Sequence, residues 1–160
     1  MVRIASLAAA ALLGLLTPAL AQMSPESPAG RYLVQDGESQ VEFYPCGPAT
    51  CGRIIWMQKN EDKKGRPLVD KNNPDPGLRS TPLLGLTILH DLRPGDEPNA
   101  YIGEVYNPRD GNRYPVTVTM LSDAQISVKG CGFAGMICRT QEWARVSGPV
   151  NQSMDQPAQQ

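Results

Sequence analysis

The chain is poor in the groups that most catalysis depends on. It holds one histidine, His90, and its four cysteines include no C-x-x-C pair. A Ser-His-Asp or Cys-His constellation would rest on His90 alone. That residue ends the alternating apolar run Leu84, Leu86, Ile88, which is where a side chain at a strand rim would sit. The spacing also excludes a thioredoxin-type redox site. Metal binding fares little better, because carboxylates are the main ligands left. "DKNNPDPG" offers Asp70, Asn72 and Asp75, yet the fifth position of an EF-hand, which needs an oxygen ligand, is Pro74. No cofactor and no metal are expected.

An excess of one charge is missing too. There are 15 Lys and Arg against 16 Asp and Glu, so no concentrated basic face is available for nucleic acid. After the N-terminus no apolar run is long enough to span a bilayer. No sustained helical period is present either.

What is there begins with a leader. Met1-Val2-Arg3 precedes an apolar stretch over residues 4–16, then Thr17-Pro18-Ala19-Leu20-Ala21. One positive charge, a short apolar core and a small-x-small ending predict a signal peptide of residues 1–21, cleaved after Ala21. Gln22, not cysteine, follows the cut, so the lipoprotein route is not indicated. The mature chain is expected to be periplasmic or secreted, soluble and monomeric. Loss of Arg3 leaves 14 basic against 16 acidic side chains, near −2. Residues 22–29 and the tail "SGPVNQSMDQPAQQ" (147–160) have little to bury and are expected to be flexible or disordered. One domain over residues 30–146 remains, large enough for a single core.

Cys46, Cys51, Cys131 and Cys138 form two local pairs, C-x4-C and C-x6-C. Four cysteines allow three connectivities. Gly47-Pro48-Ala49-Thr50 and Gly132-Phe133-Ala134-Gly135 are turn-like, and hairpins there would bring each local pair face to face. Cys46–Cys51 and Cys131–Cys138 are therefore favoured. A four-thiolate zinc site would want C-x2-C knuckles, and an exported chain favours disulfides.

The body consists of strand-like runs divided by Gly, Pro, Asn and Asp: "RYLV" (31–34), "VEFY" (41–44), "GRIIWMQK" (52–59), "LLGLTIL" (83–89), "AYIGEVY" (100–106), "YPVTVTML" (114–121), "AQISVKG" (124–130) and "CRTQEWARV" (138–146). Val116, Val118 and Met120 alternate with Thr117 and Thr119, and Ile126 and Val128 alternate with Gln125, Ser127 and Lys129. Asp110-Gly111 is a strong hairpin signal. The pattern predicts an all-β fold, a single antiparallel barrel of about eight strands, with a two-sheet sandwich as the alternative.

The stretch "NNPDPGLRSTPLLGL" (72–86) is stiffened by three prolines. Asn73 and Asp75 precede proline and are driven toward extended angles, and Pro74 and Pro76 have fixed φ. Within such a loop Asp75 can accept local N–H groups, and Arg79 can bond loop carbonyls or a carboxylate. The loop is either a rigid corner with an internal ion pair or a mouth where Asn73, Asp75 and Arg79 orient a ligand. The rings of Trp56, Tyr106 and Trp143 are equally open: they fill a barrel or line its pocket. Two function classes follow. The favoured one is a non-catalytic, small-molecule-binding or envelope-associated module with a small apolar or amphipathic ligand. The other is a carboxylate-based hydrolase using Asp75 with Asp70, Asp110 or Glu104.

"CGPATCGRIIW" (46–56), "NNPDPGLRSTPLLGLTIL" (72–89), "EVYNPRDGNRY" (104–114) and "GCGFAGMICRTQEWARV" (130–146) together resemble the exported bacterial family called domain of unknown function 2147. The resemblance spans nearly the whole domain and implies no particular activity. That family typically opens with Gly-x-Trp, where this chain has Gly30-Arg31-Tyr32. More loosely, the chain is similar to lipocalin-type barrels, in which a late arginine packs across an aromatic ring of the first strand. Gly30, Tyr32 and Arg145 would take those parts.

Overall fold

The computed structural model describes residues 27–132 and 135–146. The expected leader, residues 22–26 of the segment after it, and the whole expected tail lie outside them. Eight strands follow in order: β1 (Gly30–Leu33), β2 (Ser39–Cys46), β3 (Ala49–Met57), β4 (Thr87–Pro94), β5 (Ala100–Asn107), β6 (Asn112–Ser122), β7 (Gln125–Gly132) and β8 (Ile137–Arg145). Each pairs antiparallel with the next, and β8 returns to β1 through Tyr32↔Arg145 and Leu33↔Ala144, closing a barrel. The sandwich alternative is thereby set aside.

The period-two runs fold as their alternation requires. Val116, Val118 and Met120 of β6 and Ile126 and Val128 of β7 are buried inside, while the intervening threonines, serine and lysine face outward. One boundary differs from the sequence expectation. "LLGLTIL" was expected to be strand from Leu83, but β4 begins at Thr87. The Leu83 amide instead bonds the Leu68 carbonyl (2.9 Å), and Gly85 turns the chain at φ +88°. Those leucines belong to the loop that crosses the barrel end.

An up-and-down barrel has two ends. The turns β2–β3, β4–β5 and β6–β7 lie at one, together with the start of β1. The turns β1–β2, β5–β6 and β7–β8 lie at the other, with the long β3–β4 connection over residues 58–86. The first end is packed shut. Tyr32 meets Phe43 edge to face at 5.2 Å, and Phe43 meets Trp143 at 6.2 Å. Val41, Leu92, Tyr101, Val118 and Ile126 fill the space around them. Each such side chain contributes about 1.5–3 kcal/mol by leaving water.

The guanidinium of Arg145 lies over the Tyr32 ring at 4.9 Å and donates to the carbonyls of Ala29 (2.9 Å) and Asp123 (2.6 Å). Gly30, at φ +144°, runs so close beneath that guanidinium that a Cβ would collide with it. The anticipated Gly30–Tyr32–Arg145 arrangement is therefore present, and it fastens the ends of the barrel wall together. Both local disulfides are formed, Cys46–Cys51 at the closed end and Cys131–Cys138 at the other.

Candidate functional site

The second end is open. Between the barrel wall and the residue 58–86 loop lies a chamber of about 1650 Å³, more than the roughly 300–1,000 Å³ usual for small-molecule sites. Its apolar wall includes Ile54 of β3, Ile88 of β4, Val105 of β5, Val116 of β6 and Val128 of β7, with Trp143 of β8 at the bottom, where it meets the closed core. Leu68, Val69, Pro82 and Leu83 of the long loop line it from above.

The reason this end is hollow can be read along two strands. Inward positions of β7 run Ile126, Val128, Gly130, Gly132 toward the open end, so this strand's own side chains stop at Val128, and the Tyr114 ring of β6 lies against Gly132. The registered partners on β8 are Trp143, Gln141, Arg139 and Ile137, and the last three line the chamber mouth. Residues directly opposite share a face. The indole Nε1 of Trp143 donates to Oε1 of Gln141 (3.0 Å). Cys131–Cys138, at the alternate positions, staples the β7–β8 hairpin from outside.

The long loop is fixed by a polar clasp. Asp70, 0 % exposed, receives the Tyr106 hydroxyl, which lies 2.9 and 2.8 Å from its two carboxyl oxygens, and the side-chain amide of Asn73 at 2.7 Å. Its own N–H donates to Thr81 (2.9 Å). These bonds offset the cost of burying the carboxyl group. Burial, and then the bond to Asp70, push the Tyr106 phenol up to about 12. One residue along from Lys71, the Asn72 amide donates to the carbonyls of Pro108 (3.2 Å) and Arg109 (2.8 Å) in the β5–β6 turn. Gly111, at φ +74°, passes so near the Asn72 carbonyl that no Cβ fits.

The candidate residues divide accordingly. Tyr106 and Trp143 line the chamber, whereas Trp56, Asn73, Asp75 and Arg79 are not among its lining residues. Asn73 serves the clasp. Asp75 caps the single-turn 3₁₀ helix Pro76–Leu78 by accepting the Gly77 N–H (2.8 Å), and Arg79 donates to the Asn73 carbonyl (2.8 Å). Among the described residues no ion pair joins Asp75 to Arg79. The other carboxylates weighed for hydrolysis are engaged separately. Asp110 holds Asn107 and Tyr114 (both 2.8 Å), and Glu104 pairs with Arg113 (3.4 Å). His90 is half-buried and outside the chamber, and burial holds its pKa below the ordinary imidazole value. No cluster of three metal-ligating side chains occurs among the described residues, and no helix there is long and apolar enough to cross a membrane.

The model of a family described as "Uncharacterized protein conserved in bacteria (DUF2147)" matches residues 30–145. The chain belongs to this family. A solved structure, "Protein HP1028 from the human pathogen Helicobacter pylori belongs to the lipocalin family", is similar at 26 % identity and a TM-score of 0.63. The alignment covers 79 % of this chain and 86 % of that one. No curated protein matches.

Two features of this DUF2147 domain went unseen in the sequence. Asp70 reads in the sequence as a metal or acid–base group, because its partner Tyr106 is 36 residues away. Arg139 and Gln141 stand at two-residue spacing from Trp143, and with Trp143 facing inward the alternation turns both into the barrel.

Proposed function

We propose that this protein is an exported, non-catalytic carrier or sensor of a small apolar or amphipathic molecule, which it holds in the open half of its barrel. The observation that carries the reading is the chamber: about 1650 Å³ walled by Ile54, Ile88, Val105, Val116, Val128 and Trp143. A barrel of this size can be filled by its own side chains or leave room for one ligand, and here only the closed half is filled. Support also comes from the carboxylates: Asp70, Asp75, Asp110 and Glu104 each spend their oxygens on separate structural bonds. Two disulfides and no free cysteine suit an oxidising compartment.

Native mass spectrometry of protein isolated from the bacterial envelope tests the reading. A retained small organic molecule, or a one-to-one adduct on adding dodecanol, is the expected result. Bare protein under both conditions would contradict it. The same spectrum should give a chain starting at Gln22, and a mass that includes residues 1–21 would contradict export by cleavage.

A further inference from the structure

We propose that the ligand is an amphiphile with an anionic head group, anchored at the chamber mouth by Arg139. This rests on the binding reading above and adds the chemistry of the head group. Of the chamber-lining residues that barrel strands supply, Arg139 alone is charged. It sits inward in register with Gly130, where an added Cβ would meet only Val105 Cγ1, at 3.6 Å. β7 therefore places no side chain beside the guanidinium, and a Val105 methyl borders that space.

The other charges at the mouth belong to loops, and most are committed. Asp62 pairs with Arg66 (2.7 Å), and Arg109 reaches Glu38 (3.6 Å). Asp36 accepts the Glu38 N–H (2.9 Å), and Asp110 accepts from Asn107, Tyr114 and the Asn112 amide. Lys71 is a second cation on the rim. Arg139 has no hydrogen-bond or ion-pair partner among the described residues. Its planar fork matches a carboxylate with two parallel donors. Gln141, the next inward residue, has its Oε1 taken by Trp143, which leaves its amino group free to donate to the same head group. From Arg139 the strand descends four residues to Trp143, a depth of ~13 Å, along the apolar side chains of Val105, Val116 and Val128. Head-group donors at the mouth and hydrocarbon below describe a single-chain acid lying lengthwise.

Isothermal titration calorimetry of the mature chain with dodecanoate and with dodecanol separates the two levels of the claim. The expected result is tighter binding of dodecanoate by about tenfold, a modest figure for a charged contact because Arg139 is exposed. The preference should shrink as salt is added. Arg139→Gln should weaken dodecanoate to the level of dodecanol and leave dodecanol unchanged, while Arg139→Lys should keep part of the preference. Equal binding of the two amphiphiles by the natural chain, or a preference that survives Arg139→Gln, would overturn the anchor and leave the chamber reading standing. Binding of neither would overturn both. Unchanged circular dichroism of the variants keeps loss of fold from imitating either result.

Discussion

The two ends of this barrel are built from the same eight strands and differ in what those strands point inward. At the closed end, Tyr32, Phe43 and Trp143 stack edge to face and Arg145 bonds across the seam. At the open end, β7 offers Gly130 and Gly132, and β8 offers Gln141 and Arg139. Strand pairing closes fully round the first half only: β1 meets β8 at Tyr32↔Arg145 and Leu33↔Ala144, and β3 meets β4 no further than Arg53↔Thr87. A side-chain gradient along two strands is enough to turn a packed core into a container. The polar clasp at Asp70 then holds the loop over it.

The sharpest way to break this comparison is to cut equal volumes from the two halves. Leu92→Ala, buried at the closed end, should cost about 2–5 kcal/mol because it opens a new void. On the same strand, Ile88→Ala only enlarges an existing chamber, and should cost less than about 2 kcal/mol. Denaturant unfolding of both would check this, and equal losses would mean the chamber is not hollow in solution.

Removing a staple from each end comes next. Replacing Cys46 and Cys51 by serine, or Cys131 and Cys138, should lower stability by about 2–3 kcal/mol in either case. Only the second pair lies at the mouth, so ligand affinity should fall with that variant alone.

The clasp should give a somewhat smaller effect. Asp70→Asn and Tyr106→Phe are each expected to destabilise by about 1–3 kcal/mol, with the double variant losing less than the sum, since they remove one interaction. Its pH dependence has a fixed sign. The phenol of Tyr106 binds its proton more tightly in the folded chain, with a pKa raised from 10.0 to about 12. Its contribution is therefore complete below pH 10 and is lost as pH climbs from 10 toward 12. Unfolding curves across that window should show a steeper alkaline loss for the natural chain than for Tyr106→Phe.

The smallest effect belongs to Asp75 and Arg79 of the proline-stiffened loop. Asp75→Ala and Arg79→Ala remove exposed bonds to Gly77 and Asn73, and should cost about 1 kcal/mol or less each, adding independently.

Most of the fold was legible because a strand with one buried face prints its geometry as period-two alternation. Val116 to Met120 and Ile126 to Val128 did so, and the two Gly-containing cysteine loops marked their own hairpins. The leucines at 83 and 84 defeated that logic, since a loop roofing an apolar chamber has the same composition as a strand. The site was less legible for a different reason. Asp70 and Tyr106 meet only through tertiary folding, and the stiff "NPDP" turn suggests a reactive loop, whereas its Asn73 bonds Asp70 and its Asp75 caps the short helix. The inward direction of Arg139 was implicit in Trp143, but it needed the sense of the strand to be known.

The central claim is that one half of the barrel holds a ligand and the other half cannot. Methyl-resolved NMR during a dodecanol titration addresses it most directly. Saturable shifts should appear at Ile54, Ile88, Val105, Val116 and Val128, with Val41, Leu92 and Val118 at the closed end unmoved. Shifts spread evenly over both groups, or none that saturate, would contradict it.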